Sequence, residues 1–127
     1  MNTRRDIGAR GEDRALALLQ KEGYRLRERN YRTRLGEIDL VAEEGEYLVF
    51  VEVKTRTGLD RGLPREAVDT RKQRRLVRAA YHYLNAHPEE ARPCRFDVVE
   101  VTFIGSGAPE VHVIRDAFQP REEDAVW

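Results

Sequence analysis

The sequence predicts an α/β domain of the α+β type, in which a mixed β-sheet is flanked by helices. Segments with helical or strand periodicity follow one another in the order α-β-β-β-α-β-β, which favours a sheet covered by helices. The length of 127 residues suits one domain with its own core. We therefore expect a single domain over residues 1–119 and a loose polar tail over residues 120–127.

The first helix is expected from about Arg4 to Glu22, and an exposed strand follows it. Small and apolar residues recur near the 3.6-residue period: Ile7, Gly11, Ala15, Leu18 and Leu19. Gly23 is a suitable residue for the end of this helix. Residues 24–32, YRLRERNYR, then alternate between arginines and other side chains, which is typical of an exposed or edge strand.

Two strands rich in β-branched and aromatic residues come next. They are EIDLVA (37–42) and YLVFVEVKT (47–55), and the short polar segment between them predicts an antiparallel hairpin. A second helical pattern runs from Pro64 to about His87, with a possible break near Asp69. The segments RFDVVEVTFI and VHVIRD complete the pattern as two further strands.

The net charge of zero conceals a segregation of charge along the chain. Residues 1–36 carry a net charge of +5 and residues 54–87 one of +6, whereas residues 37–53 carry −6 and residues 88–127 carry −5. An acidic centre between two basic segments favours an anionic polymer that is held around a cation site. Solvated faces of a highly charged small protein would produce the same segregation.

The composition also bears on the compartment. Cys94 is the only cysteine, so an intramolecular disulfide is excluded, and a reducing compartment fits. The N-terminal segment has no apolar stretch of signal-peptide length, and no run of about 18 apolar residues occurs. We therefore expect a soluble cytoplasmic protein.

The predicted hairpin places ionisable side chains inside apolar strands. Because side chains alternate between the two faces of a strand, Glu37 and Asp39 share one face. Glu52, Lys54 and Arg56 likewise share one face of the next strand. If these faces lie together, three carboxylates and one ammonium group converge beside a hydrophobic sheet. The alternative is a structural ion pair on an exposed sheet face.

This set of residues suits phosphodiester hydrolysis. Mg²⁺ prefers oxygen ligands and keeps several waters, so Asp39 and Glu52 on adjoining strands can hold one ion between them. Such an ion lowers the pKa of a bound water and neutralises charge on a phosphate. Lys54 lies about 6–7 Å further along the strand, where it can position the water or stabilise developing negative charge.

Asp39, followed after twelve residues by Glu52-Val53-Lys54, resembles the PD-(D/E)xK nuclease signature. With GEIDLVA, VFVEVKTR and RFDVV in this order, the chain resembles the YraN-like family, a largely uncharacterised bacterial group in the restriction-endonuclease-like superfamily. The resemblance extends from about Gly8 to Phe118 and implies a restriction-endonuclease-like core, similar to that of Holliday junction resolvases. Ile38 stands where the signature has its proline.

The resemblance implies roles for individual residues. Asp39 and Glu52 would ligate Mg²⁺ or Mn²⁺ with help from the Val53 carbonyl, and Lys54 would orient the attacking water. By resemblance to relatives that resolve four-way DNA junctions, Glu12 on the first helix is a candidate for a further acidic residue of the site. A solvated glutamate in the first half of a helix is the alternative for Glu12.

The basic segment after Pro64 is expected to hold a nucleic-acid backbone, with a polar helix face as the alternative. The candidate contacts are Arg56, Lys72, Gln73, Arg74 and Arg75. Arg56 either contacts phosphate or balances the charge of the site. Glu37 is either an outer ligand or the partner of a neighbouring arginine. Arg95 and Asp97 share a strand face and are expected to support the sheet.

The sequence therefore predicts a metal-dependent nuclease that acts on DNA, with junction or branched DNA as one possible substrate and RNA as another. A homodimer would supply two symmetric sites for cutting two strands together. The alternatives are a nucleic-acid-binding module without turnover and a structural partner protein, since a fold does not imply a function.

Overall fold

The computed structural model describes residues 4–58 and 69–121 and confirms the predicted class and element order. Its elements are α1 (Arg4–Lys21), β1 (Arg25–Arg32), β2 (Glu37–Glu44), β3 (Tyr47–Thr57), α2 (Thr70–Ala86), β4 (Cys94–Phe103) and β5 (Glu110–Ile114). The predicted helix start at Pro64 and residues 122–127 of the predicted tail lie outside the described residues.

The five strands form one mixed sheet in chain order. β1, β2 and β3 are antiparallel, β3 and β4 are parallel, and β5 is antiparallel to β4. This mixed sheet with two flanking helices is consistent with a restriction-endonuclease-like core. β1 forms an edge of the sheet, as predicted. Neither described helix is long and apolar enough to cross a membrane.

The predicted hairpin is confirmed. Glu44 pairs with Tyr47, so Gly45 and Glu46 form a two-residue turn between β2 and β3. Gly45 has φ of 59°, in the left-handed region that short hairpin turns require and that glycine adopts at low cost.

The helices cover opposite faces of the sheet, because successive residues of β3 belong to different clusters. Leu48 and Phe50 pack with Tyr83 of α2, whereas Val49 and Val51 pack with Leu19 of α1. α1 also approaches β3 closely, since a Cβ added at Gly11 would lie 2.0 Å from the Thr55 Oγ1 atom. Only glycine allows this contact, which brings the neighbouring Glu12 towards the hairpin.

α2 begins where a break was predicted. The carboxylate of Asp69 caps the helix by accepting a hydrogen bond of 2.9 Å from the backbone N–H of Lys72. The cap therefore fixes the start of the basic first turn of α2, while the packing of the helix on the sheet comes from its apolar face.

The predicted supporting pair, Arg95 and Asp97, lies in a buried polar network. Asp97 is fully buried and accepts hydrogen bonds from the Tyr24 hydroxyl at 2.7 Å and from the Arg95 guanidinium at 2.8 Å. It also accepts one from the backbone N–H of Asp116 at 2.9 Å. The Asp97 carboxylate thus links β4 by hydrogen bonds to the segment before β1 and to the segment after β5.

Candidate active site

The site lies where β2 and β3 separate. Their pairing ends at Leu40 and Val51, although both strands continue beyond these residues. There the Oδ2 atom of Asp39 accepts a hydrogen bond of 2.7 Å from the backbone N–H of Val53. The carboxylate thereby satisfies a strand N–H at the fork, which orients the side chain between the two strands.

Asp39 and Glu52 form a close, half-buried carboxylate pair. Burial, the negative charge of Glu52 and, more weakly, that of Glu12 raise the pKa of Asp39, while the Val53 N–H opposes the shift. Burial also raises the pKa of Glu52, and Lys72 opposes that rise. The sequence prediction that Asp39 and Glu52 converge is therefore matched by the geometry.

Lys72 is the cation nearest to this pair in the described structure. Its Nζ atom lies 3.4 Å from Glu52 Oε1, and it comes from the first turn of α2. The Lys72 side chain is 45% exposed, whereas that of Glu52 is 16% exposed. Lys72 therefore acts as a solvent-accessible counter-ion at the mouth of the site.

The other acidic candidates differ in their surroundings. Glu12 is half-buried, accepts a hydrogen bond of 3.4 Å from Arg29 Nε and acts electrostatically on Asp39, so α1 does bring it towards the pair. Glu37 is 63% exposed and lies 3.5 Å from Arg32 Nε. Glu37 thus has an arginine partner, and its negative charge also acts on Glu52, so its role as an outer ligand stays a prediction.

Lys54 and Arg56 continue along β3 beyond Glu52. Lys54 is half-buried, and its side chain forms no ion pair or hydrogen bond with any residue of the two described ranges. Arg56 is also half-buried, and its Nη2 atom lies 3.7 Å from Glu100 Oε2. Arg56 thus pairs with a carboxylate of β4 and not with Asp39 or Glu52, and its two predicted roles, phosphate contact and charge balance at the site, stay predictions.

The sequence analysis did not select Glu100, although Glu100, like Glu52, is a carboxylate within an apolar strand segment. Glu100 stands in the apolar strand β4, directly beside Lys54 in the parallel register, and is 5% exposed. Glu100 Oε2 and Arg56 Nε are buried without a hydrogen-bond partner within the described part of the chain.

A cleft of about 360 Å³ adjoins the carboxylate pair. The predicted basic helix forms part of its lining. Its walls are the β1–β2 loop and the start of α2, and its lining includes Arg32, Arg34, Glu37, Glu52, Lys72 and Arg75. Lys72 and Arg75 are exposed, while Gln73 and Arg74 are half-buried on the same helix. The sequence analysis did not name Arg32 and Arg34 as candidate contacts, although they end the arginine-rich segment that begins at Arg25.

The donor set suits a cation that retains water ligands. Within residues 4–58 and 69–121, no group of three or more His, Cys, Asp and Glu side chains is arranged to hold a metal ion. The available donors are the two carboxylates of Asp39 and Glu52 and nearby backbone carbonyls. Mg²⁺ commonly uses one or two carboxylates and keeps several waters, and a cation would stabilise the ionised forms of both carboxylates against the burial that raises their pKa values.

Comparison with known proteins identifies relatives over most of the chain. The model of the uncharacterised protein family UPF0102 matches residues 11–101. A UPF0102 protein of Moorella thermoacetica is 54% identical over 99 residues, covering 78% of this chain and 82% of its own. One of Symbiobacterium thermophilum is 51% identical over 114 residues, covering 90% and 97%, respectively. The chain therefore belongs to the family UPF0102, the YraN-like group that its sequence resembles.

Proposed function

We propose that the protein is a metal-dependent nuclease that hydrolyses phosphodiester bonds in DNA. The observation that carries this proposal is the half-buried pair of Asp39 and Glu52 at the fork between β2 and β3. Two like charges placed together away from water oppose folding unless a cation compensates them. A structural ion pair has no need of the second carboxylate, whereas a cation site for phosphate chemistry does.

The residues of the chain would act as follows. Asp39 and Glu52, with the Val53 carbonyl as a third candidate, would hold Mg²⁺ or Mn²⁺. When bound, the ion would supply an activated water and neutralise charge on the phosphate. The Val53 N–H holds Asp39 in place. Lys54, which has no competing partner in the described ranges, would orient the water or stabilise the developing negative charge.

The finer parts of this proposal rest on the family resemblance. Junction or branched DNA is the substrate form suggested by the similarity to Holliday junction resolvases, and a homodimer would suit paired cuts. Glu12 would add a further carboxylate to the site, in keeping with its electrostatic effect on Asp39. A cytoplasmic location is part of the same proposal.

A non-catalytic nucleic-acid-binding module is the second candidate. It is favoured by the 3.4 Å contact between Lys72 and Glu52, because this contact offsets part of the carboxylate charge without any metal. The basic side chains of the adjoining cleft would serve binding equally well in either function.

A cleavage screen separates the two candidates. Linear, flapped and four-way-junction DNA, single-stranded DNA and RNA are each incubated with Mg²⁺, Mn²⁺ or EDTA. The nuclease proposal expects metal-dependent cleavage that is lost in Asp39→Asn and retained in Glu46→Gln, which removes one charge from the exposed turn of the same hairpin. If the wild-type protein cleaves no substrate with either ion, the binding module becomes the better description.

A further inference from the structure

We propose that the cleft between the β1–β2 loop and α2 is a binding site for a backbone phosphate of DNA, with Arg34 and Arg75 as its principal ligands. The identity of the polymer rests on the proposed function, whereas the anion site itself rests on the geometry below. We call it the arginine cleft, defined by Arg32, Thr33, Arg34, Gly36, Glu37, Glu52, Lys72, Arg75 and Leu76.

The arginine cleft carries an excess of positive charge. Its volume of about 360 Å³ is large enough for a phosphodiester group together with water. Four basic side chains line it, against two acidic ones, Glu37 and Glu52. Each acid already has a cation beside it, since Arg32 lies 3.5 Å from Glu37 and Lys72 lies 3.4 Å from Glu52.

Arg34 and Arg75 are the two basic residues of the cleft that lie beside neither acid. Both are exposed, and neither side chain forms an ion pair or hydrogen bond within residues 4–58 and 69–121. They stand on different walls of the cleft, one on the loop and one on α2. A guanidinium group binds phosphate through two parallel N–H donors, so two guanidinium groups facing one space suit a phosphate between them.

The loop wall is held in place, as a binding site requires. Thr33 Oγ1 accepts hydrogen bonds from the backbone N–H groups of Leu35, at 3.0 Å, and Gly36, at 3.1 Å. The same hydroxyl donates to the Gly36 carbonyl at 2.8 Å, and the Thr33 N–H donates to that carbonyl at 2.9 Å. This closed loop presents Arg34 with little freedom of its backbone.

Gly36 sets the separation of the two walls. A Cβ added at Gly36 would lie 2.5 Å from the carbonyl oxygen of Arg75 and 3.0 Å from its carbonyl carbon. These are backbone atoms of α2, so any larger residue would push the loop away from the helix. The cleft therefore depends on glycine here, although Gly36 carries no charge and binds nothing itself.

The arginine cleft lies next to the carboxylate pair, which suggests what a phosphate bound there would do. Glu52 lines the same cleft, so an anion held by Arg34 and Arg75 would lie beside the carboxylate pair. Backbone contacts of this kind position a nucleic acid without reading its sequence. The arginine cleft would thus set the position of the DNA strand relative to Asp39 and Glu52.

The test is DNA binding in EDTA, which removes catalysis from the measurement. Anisotropy of a fluorescein-labelled DNA duplex is titrated over a series of KCl concentrations. Arg34→Gln with Arg75→Gln should weaken binding at least about tenfold at low salt and make the salt slope shallower by about 1 to 2, as expected for lost phosphate contacts. The matched control is Arg14→Gln with Arg25→Gln, which removes the same charge from exposed positions outside the cleft.

Gly36→Ala separates geometry from charge. It should weaken DNA binding several-fold at unchanged net charge, whereas Gly45→Ala, in a turn outside the cleft, should leave affinity within about twofold. Circular dichroism verifies that each variant is folded. Wild-type affinity in the double arginine variant, or an equal loss in its charge control, would overturn the proposal.

The outcome is distinguishable from that of the nuclease proposal. Loss of binding in the cleft variants supports the phosphate site even if the wild-type protein cleaves nothing. Metal-dependent cleavage with unchanged binding by the cleft variants supports the nuclease and rejects the arginine cleft.

Discussion

The carboxylate of Asp39 accepts a hydrogen bond of 2.7 Å from the backbone N–H of Val53, the residue that follows Glu52. This contact crosses the fork between β2 and β3, where the ladder of backbone hydrogen bonds has ended. It holds Asp39 beside Glu52 in spite of their mutual repulsion. The arrangement therefore has a cost in stability, which mutation can measure.

Asp39→Asn should stabilise the metal-free protein, and more so at high pH. The pKa of Asp39 is raised from its ordinary value of 3.8, so the folded protein disfavours the ionised form. This penalty is absent below about pH 4 and grows as pH rises towards the raised pKa. Asparagine still accepts from Val53 N–H but cannot ionise. Urea unfolding in EDTA at about pH 5 and about pH 9 should show a larger gain at the higher pH; an equal gain at both would contradict the assignment.

The same substitution should weaken divalent-cation binding. Removing one of two carboxylates lowers the charge and the number of oxygen ligands, and we expect the affinity for Mn²⁺ to fall at least about tenfold. Isothermal titration calorimetry measures it, with Glu46→Gln as the control for net charge. Equal affinities of wild type and Asp39→Asn would remove Asp39 from the metal site.

Lys54→Ala should impair cleavage much more than binding. A cation near the scissile phosphate stabilises the transition state, where negative charge accumulates, more than the ground state, and only this difference raises the rate. We expect single-turnover cleavage of the substrate found in the screen to fall about a hundredfold or more. DNA affinity in the same buffer should change only a few-fold. Cleavage at the wild-type rate would show that Lys54 is not catalytic.

Gly11→Ala should destabilise the fold, because the new Cβ would overlap the Thr55 side chain. Over-packing of this kind costs about 1–3 kcal/mol. Gly8→Ala, on the same helix with no atom within 4 Å of the added Cβ, is the matched control and should be neutral or stabilising by up to about 1 kcal/mol. Chemical denaturation distinguishes the two. Equal stability of both variants would argue against the close approach of α1 to β3.

Asp97→Ala should destabilise the protein far more than Tyr24→Phe. The first substitution removes the acceptor shared by Tyr24, Arg95 and the Asp116 N–H and leaves the half-buried Arg95 poorly compensated. Its expected cost is about 3–5 kcal/mol. The second removes a hydroxyl that donates to Asp97 and accepts from Arg95, but Asp97 and Arg95 keep their bonds to each other, so it should cost about 1 kcal/mol. If urea unfolding gives similar losses for both, the network is not centred on Asp97.

The hairpin, and the positions of Asp39 and Glu52 in it, could be predicted from the sequence alone. Strand alternation and a two-residue turn are local properties, so the register of β2 against β3 follows from residues close in the chain. The same local rule placed Lys54 and Arg56 along β3. The possible break near Asp69, predicted within a helix expected from Pro64, coincides with the start of α2.

The residues from distant parts of the chain that surround that pair could not be predicted, because they depend on the packing between elements. Lys72 reaches Glu52 because α2 belongs to the connection that joins the parallel strands β3 and β4 across one face of the sheet. Arg34 faces α2 because Gly36 lies against the backbone of Arg75. Glu100 meets Arg56 only through the pairing of β3 with β4. No periodicity within a segment encodes these contacts, since they depend on how separate elements pack once the apolar faces of the sheet are covered.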